Sequence, residues 1–104
     1  MSGDKIILDQ IKRAVHEIVP DAKVILFGSR VSGNIHEESD WDVLVLTKEK
    51  FSKNVKWAVH DRLYPVALAN NTFIHLTFTS ENEWEHDSAY YSLKLNIGDE
   101  MIAL

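Results

Sequence analysis

Two uninterrupted aliphatic runs, Val24-Ile25-Leu26-Phe27 and Val43-Leu44-Val45-Leu46, flank a polar stretch that opens with Gly28-Ser29 and closes with Asp40-Trp41-Asp42. Short continuous apolar runs bounded by turn residues read as buried strands. The chain therefore has to fold around a pair of interior strands. A glycine turn leaves the first, and two carboxylates open the second.

Each half of this arrangement suits phosphate chemistry. Glycine lacks a Cβ, so the backbone at Gly28 can turn sharply and approach a phosphate closely. Ser29 adds a hydroxyl, and neighbouring backbone N–H groups can face an anion. Asp40 and Asp42, at i and i+2 of a strand, point to one face roughly 6–7 Å apart along the chain. Magnesium is commonly held by one or two carboxylates together with phosphate oxygens and water. Two such carboxylates can hold metal against a triphosphate, where it neutralises charge on the attacking and leaving oxygens. The stretch Gly28-Ser29-Arg30-Val31-Ser32-Gly33 also fits the opening of a P-loop. Asn34-Ile35 follows, where that motif needs Lys and then Ser or Thr, so the P-loop reading fails. The bland alternative is a β-turn with a glycine and a negative surface loop over residues 37–42. It suits a lone Gly-Ser or Asp-x-Asp, since both are ordinary turn residues, but is weaker for the combined spacing.

Gly28-Ser29, ten residues, then Asp40-x-Asp42 resembles the signature of the minimal nucleotidyltransferases of the DNA polymerase β-like superfamily. Phe27 to Arg30, Gly33 and Ser39 to Asp42 carry the likeness. Phe78-Thr79-Ser80, Trp84, Ala89-Tyr90-Tyr91 and Ile97 to Glu100 resemble the closing strand, aromatic turn and final helix of that family. The resemblance implies a small mixed α/β sheet with helices packed on it. It implies transfer of a nucleoside monophosphate, AMP from ATP, to an acceptor hydroxyl with Mg2+. Gly28, Ser29, Arg30 and Ser39 would lie at the nucleotide, and Asp40 and Asp42 at metal and catalysis. The family commonly places a third carboxylate on the next strand; by the pattern Phe73-Ile74-His75-Leu76-Thr77 that position is His75, a departure. Imidazole is a poorer magnesium ligand than carboxylate, although it can act as a base near neutral pH. His75 either joins the chemistry or packs beside the nucleotide.

At 104 residues the chain is expected to form one domain over 1–104. The formal net charge of −5 argues against general nucleic-acid binding, which needs a basic surface. No apolar run is long enough to span a bilayer, no signal-peptide pattern opens the sequence, and there is no cysteine, so the cytoplasm is the expected compartment. The histidines His16, His36, His60 and His86 are too widely spaced for a His-x-x-x-His zinc pair.

Periodicity places helices over residues 4–19, with Asp4 as cap and Pro20 as stop, and over 52–69, with a break or bend at Pro65. Strands are expected over 22–27, 41–47 and 72–79, with Ile74, Leu76 and Phe78 on one face. A helical turn is read over 30–33, a polar loop over 34–39, and a turn at Asn70-Asn71. Ser80-x-x-Glu83 reads as a capping box. Residues 88–97 read as a helix closed by Gly98, and 101–104 as an edge strand. Trp41 alternates away from the aspartates towards the core. Arg30 reads either as a phosphate contact or as an ion-pair partner of Glu37 or Glu38. Trp57, Tyr64, Trp84, Tyr90 and Tyr91 read as core and partner surface.

Larger members of the resembled family carry a further domain for the acceptor. The resemblance therefore implies an acceptor on a separate protein, a small helical partner of the HEPN type, with this chain as antitoxin. A non-catalytic nucleotide-binding antitoxin subunit that acts by contact is the alternative, and a homo-oligomer stays open.

Overall fold

A computed structural model describes residues 2–28, 40–98 and 101–104, with side chains from Lys5 onward. Helix α1 runs Ser2–Ile18, and buries Ile7, Ile11, Ala14 and Val15, spaced as one helical face. It stops just short of Pro20, because the residue before proline is pushed out of the helical region. The backbone is helical from Ser2, so Asp4 lies in the first turn and not at the cap. An acidic residue type suits both places, through capping or the helix dipole, so sequence does not choose between them.

Strand β1 (Lys23–Phe27) pairs antiparallel with β2 (Trp41–Thr47), with Phe27 opposite Asp42. Helix α2 (Lys53–Ala69) then crosses over to β3 (Ile74–Ser80), which lies parallel to β2. The short β4 (Met101–Ala103) adds antiparallel to β1, giving a four-stranded sheet in the order β3-β2-β1-β4. Alternation splits the core in two. Val24, Leu26, Trp41, Val43, Val45 and Phe78 pack with buried residues of α1 and α2. Phe27, Leu44 and Leu46 pack on the opposite face with Trp84 and Ile97, from α3 (Glu81–His86) and α4 (Tyr91–Ile97). A strand covered on both faces needs apolar residues at consecutive positions, which is why Val43 to Leu46 shows no alternation.

Several element ends differ from the sequence expectation, each for a local reason. Helix α2 is not broken at Pro65 but continues to Ala69. Pro65 and Asp61 are both exposed, so the Asp61 carbonyl that loses its intrahelical bond faces water. The third strand starts at Ile74 and not at Thr72. Asn71 adopts φ +50°, and the N–H groups of Asn71 and Thr72 bond back to the carbonyls of Leu68 and Ala67 at 3.2 and 3.0 Å. That pattern closes the helix and withdraws Thr72 from the ladder. Asn70 Nδ2 donates to Val66 O at 2.8 Å and Gln10 Oε1 at 2.9 Å, tying the end of α2 to α1.

The capping box is present. Glu83 N donates to Ser80 Oγ at 3.2 Å, and the Ser80 hydroxyl donates to Glu83 Oε1 at 3.0 Å. Residues 88–97 are not one helix. A 3₁₀ turn over Ser88–Tyr90, capped by Asp87, precedes α4. Gly98, at φ +58°, donates to Lys94 O at 3.0 Å and ends α4. The turn expected over 30–33 and the loop over 34–39 fall outside the described residues.

Candidate functional site

Strand pairing brings the candidate residues together. Gly28 directly follows β1, Asp40 directly precedes β2, and Asp42 is the second residue of β2. Asp42 stands opposite Phe27 on one side and in register with His75 of β3 on the other. Alternation sends Asp42 and His75 to the face shared by Leu44 and Leu46. Trp41 points into the opposite core, where it is buried as expected.

Gly28 is required by its neighbour as well as by its own backbone. It sits at φ +86°, which L side chains rarely adopt. A Cβ there would collide with Asp42 Oδ2 and lie 3.0 Å from Cγ and 3.2 Å from Cβ of the same side chain. The glycine makes room for the carboxylate. Gly28→Ala is therefore expected to cost about 1–3 kcal/mol, read as a lower unfolding temperature. Gly28→Ala combined with Asp42→Ala should cost less than the two single changes together, because the second removes the atoms that the new Cβ meets. A strictly additive pair would show that the cost lies in the backbone alone.

His75 Nε2 lies 2.5 Å from Asp40 Oδ2. In the tautomer that makes this bond Nε2–H donates to the carboxylate, which leaves Nδ1 as an acceptor. The side chain of His75 is largely exposed and that of Asp40 about one-third exposed, so the pair is open to solvent. Asp42 is the more enclosed carboxylate. Burial raises its pKa above the usual 3.8; the nearby His75 pulls it down, and the charge of Asp40 pushes it up again. With the folded value above the unfolded one, the folded protein holds more protons in the window between them. Stability of the metal-free protein should therefore fall as pH rises through that window. Asp42→Asn should flatten this dependence, as followed by thermal unfolding from pH 3.5 upward.

The donor chemistry suits a hard cation. Asp40 and Asp42 offer anionic oxygens on one side of the sheet edge, and phosphate oxygens and water complete such a shell in nucleotide sites. No group of three or more His, Cys, Asp or Glu side chains arranged to hold a metal occurs among the described residues. Among the described residues the two carboxylates stand together, and their neighbour on β3 is an imidazole bonded to one of them. Ser29, Arg30 and Ser39, assigned from sequence to the nucleotide, lie outside the described residues, as do His36, Glu37 and Glu38.

Among the described residues the remaining histidines stand apart. His16 Nε2 is 3.0 Å from Ala22 O, His86 Nδ1 is 3.0 Å from Asn82 O, and His60 contacts the Trp57 ring. The Asp40–His75 bond joins residues 35 apart in sequence, although the β2–β3 register sets His75 beside Asp42.

The nucleotidyltransferase domain family matches residues 8–91, which span both carboxylates, the glycine turn and His75. This chain belongs to that family. The match agrees with the resemblance read from the Gly28-Ser29 and Asp40-x-Asp42 spacing. A crystal structure of a toxin–antitoxin with AMP-PNP superposes with a TM-score of 0.62 at 21% identity, covering 99% of this chain and 72% of the other. A mutant of the toxin–antitoxin MntA-HpeT, with two aspartates changed to glutamate, superposes at 0.61 with 20% identity and coverage of 99% and 72%. These likenesses establish a nucleotidyltransferase-type fold, a mixed sheet with helices packed on it. Comparison with curated proteins gave no match. Among the described residues of the nucleotidyltransferase domain, no helix is long and apolar enough to cross a membrane.

Proposed function

We propose that this nucleotidyltransferase domain transfers AMP from ATP to a hydroxyl on a partner protein, slowly, in the cytoplasm. The observation that carries the reading is the Gly28 turn packed against Asp42, with Asp40 and His75 alongside, inside a nucleotidyltransferase family match. The acceptor oxygen bonds to the α-phosphorus, the bond to the bridging oxygen breaks, and pyrophosphate leaves. Gly28, with Ser29, Arg30 and Ser39 as read from the motif, holds the phosphates. Asp40 and Asp42 would hold Mg2+. When bound, the ion supplies charge neutralisation at the reacting phosphate. His75 stands where the family resemblance expects a third carboxylate. An imidazole there binds Mg2+ less well than a carboxylate would, so turnover is slow while nucleotide binding persists.

The toxin–antitoxin neighbours, one of them with AMP-PNP, support both a nucleotide and a protein partner for this chain. By the same resemblance the partner is a small helical protein of the HEPN type, and this chain its antitoxin. The Asp40–His75 bond also favours a second reading, in which the chain binds nucleotide and silences its partner by contact without transfer.

Thermal unfolding and label transfer decide between these. Saturating ATP with Mg2+ should stabilise the protein by about 2.7 kcal/mol at a hundredfold excess over Kd. Label from α-phosphate-labelled ATP should appear on the co-expressed partner, and label from the γ-phosphate should not. Stabilisation without transfer would select the contact reading. Absence of both would refute nucleotide binding altogether.

A further inference from the structure

Helix α2 carries an exposed apolar stripe that the nucleotide site does not use. Trp57, Tyr64 and Leu68 repeat along its outer face, and Phe73 follows just before β3. They are 58%, 63%, 64% and 73% exposed and adjoin one another, and a contiguous exposed apolar patch marks an interaction surface. Beside them lies a groove of about 260 Å³, lined by His60, Tyr64, Leu68, Phe73, Ile74 and Leu76. It opens where α2 meets β3, the edge strand of the sheet.

Charge gives the stripe a direction. The protein is acidic at −5. The first turns of α2 nevertheless carry Lys53 and Lys56, with no acidic residue in the first turn. Arg62 is paired with Glu17 on α1, and Asp61 is the one carboxylate on this helix. From Lys56 to Tyr64 the rise is about 12 Å, and from Trp57 to Leu68 about 16 Å, or three helical turns. The surface is thus apolar along its length and basic at its N-terminal end, with Asp61 at helical spacing from Trp57 and Leu68 near the middle. A second copy of α2 laid antiparallel would set Lys53 and Lys56 against the Leu68 end, which bears no carboxylate. Asp61, at the centre of the helix, would meet its own copy and not the lysines, so charge complementarity selects a different chain.

We propose that the α2 stripe and the groove beside it receive an amphipathic helix of a protein partner, apolar opposite Tyr64, Leu68 and Phe73 and acidic opposite Lys53 and Lys56. The inference deepens the partner-directed reading above, on which it rests for the existence of a partner, and uses none of the residues at Asp40. The groove admits one or two large side chains as anchors. The lysines steer approach and fix direction.

The test places a photoreactive benzoylphenylalanine in the full chain, in its own cells, in place of Tyr64 or Leu68. The same group in place of Leu95, an exposed apolar residue of α4, is the control. Cross-linking at the first two sites should exceed the control at least tenfold. The linked peptide should have apolar residues at helical spacing and Asp or Glu two to three turns away. With that partner purified, Tyr64→Glu with Leu68→Glu should weaken binding at least 100-fold. Lys53→Glu with Lys56→Glu should weaken it about tenfold at low salt, less as salt rises. All variants should unfold near the wild-type temperature and keep the shift with ATP and Mg2+.

Linkage to a second copy of this chain, to a peptide lacking that pattern, equally at Leu95, or to nothing, overturns the proposal. So does wild-type affinity in the variants. Loss of the nucleotide shift in the wild-type protein would instead refute the transfer reading and leave this surface standing.

Discussion

Replacing both Asp40 and Asp42 by asparagine is expected to abolish the Mg2+-dependent part of the ATP stabilisation and to lower AMP transfer by about 10²–10³-fold. Asparagine keeps the shape of each side chain and removes its charge, so the hard anionic oxygens are lost while the packing beside Gly28 is kept. The metal-free protein should not become less stable. Burial already disfavours the charged form of Asp42, and Asp40 repels it. The amide relieves both effects. Function and stability thus move in opposite directions, as expected where a site holds charges that folding alone would not choose. Unfolding curves with and without Mg2+ and ATP, alongside label transfer, read both. An unchanged Mg2+-dependent shift in the double variant would remove these carboxylates from the metal site.

The sequence made β2 legible because an apolar run and an acidic motif adjoin there. The apolar run demanded burial, and the strand expected over 41–47 is found as Trp41–Thr47; Asp40, read with Asp42 as i and i+2 of a strand, lies one residue before it. The same alternation put Trp41 in the core and Asp42 on the site face. Other features depend on contacts that no local pattern carries. Pro65 is tolerated in α2 because that turn faces water, which a propensity argument has no means of knowing. Thr72 has the residue type of a strand, yet its N–H is taken by Ala67. The position of His75 beside the aspartates followed from the family pattern, and the strand register places it there. Its bond to Asp40 is a side-chain choice that spacing does not encode. Glycine at 28 was legible as a turn, but the cause found in the fold is steric, the carboxylate of Asp42 filling the space a Cβ would need.

His75→Asp should strengthen divalent metal binding and raise AMP transfer by roughly 10²-fold. In the wild-type protein Asp40 Oδ2 is engaged by the imidazole, and a metal ion at Asp40 would have to compete with that bond. Aspartate removes the donor and adds a third anionic oxygen in register with Asp42. Without metal, three neighbouring carboxylates repel, so the variant should unfold at a lower temperature than wild type. With Mg2+ the repulsion becomes attraction, and the metal-dependent rise in unfolding temperature should exceed that of wild type. This pair of shifts is independent of catalysis, so it tests the site even if the acceptor is absent. Rapid turnover by wild type with slower turnover by the variant would mean that the imidazole is the working base, with Nδ1 receiving the proton of the acceptor hydroxyl. No change in metal affinity, unfolding or rate would place His75 outside the site, whatever its distance from Asp40.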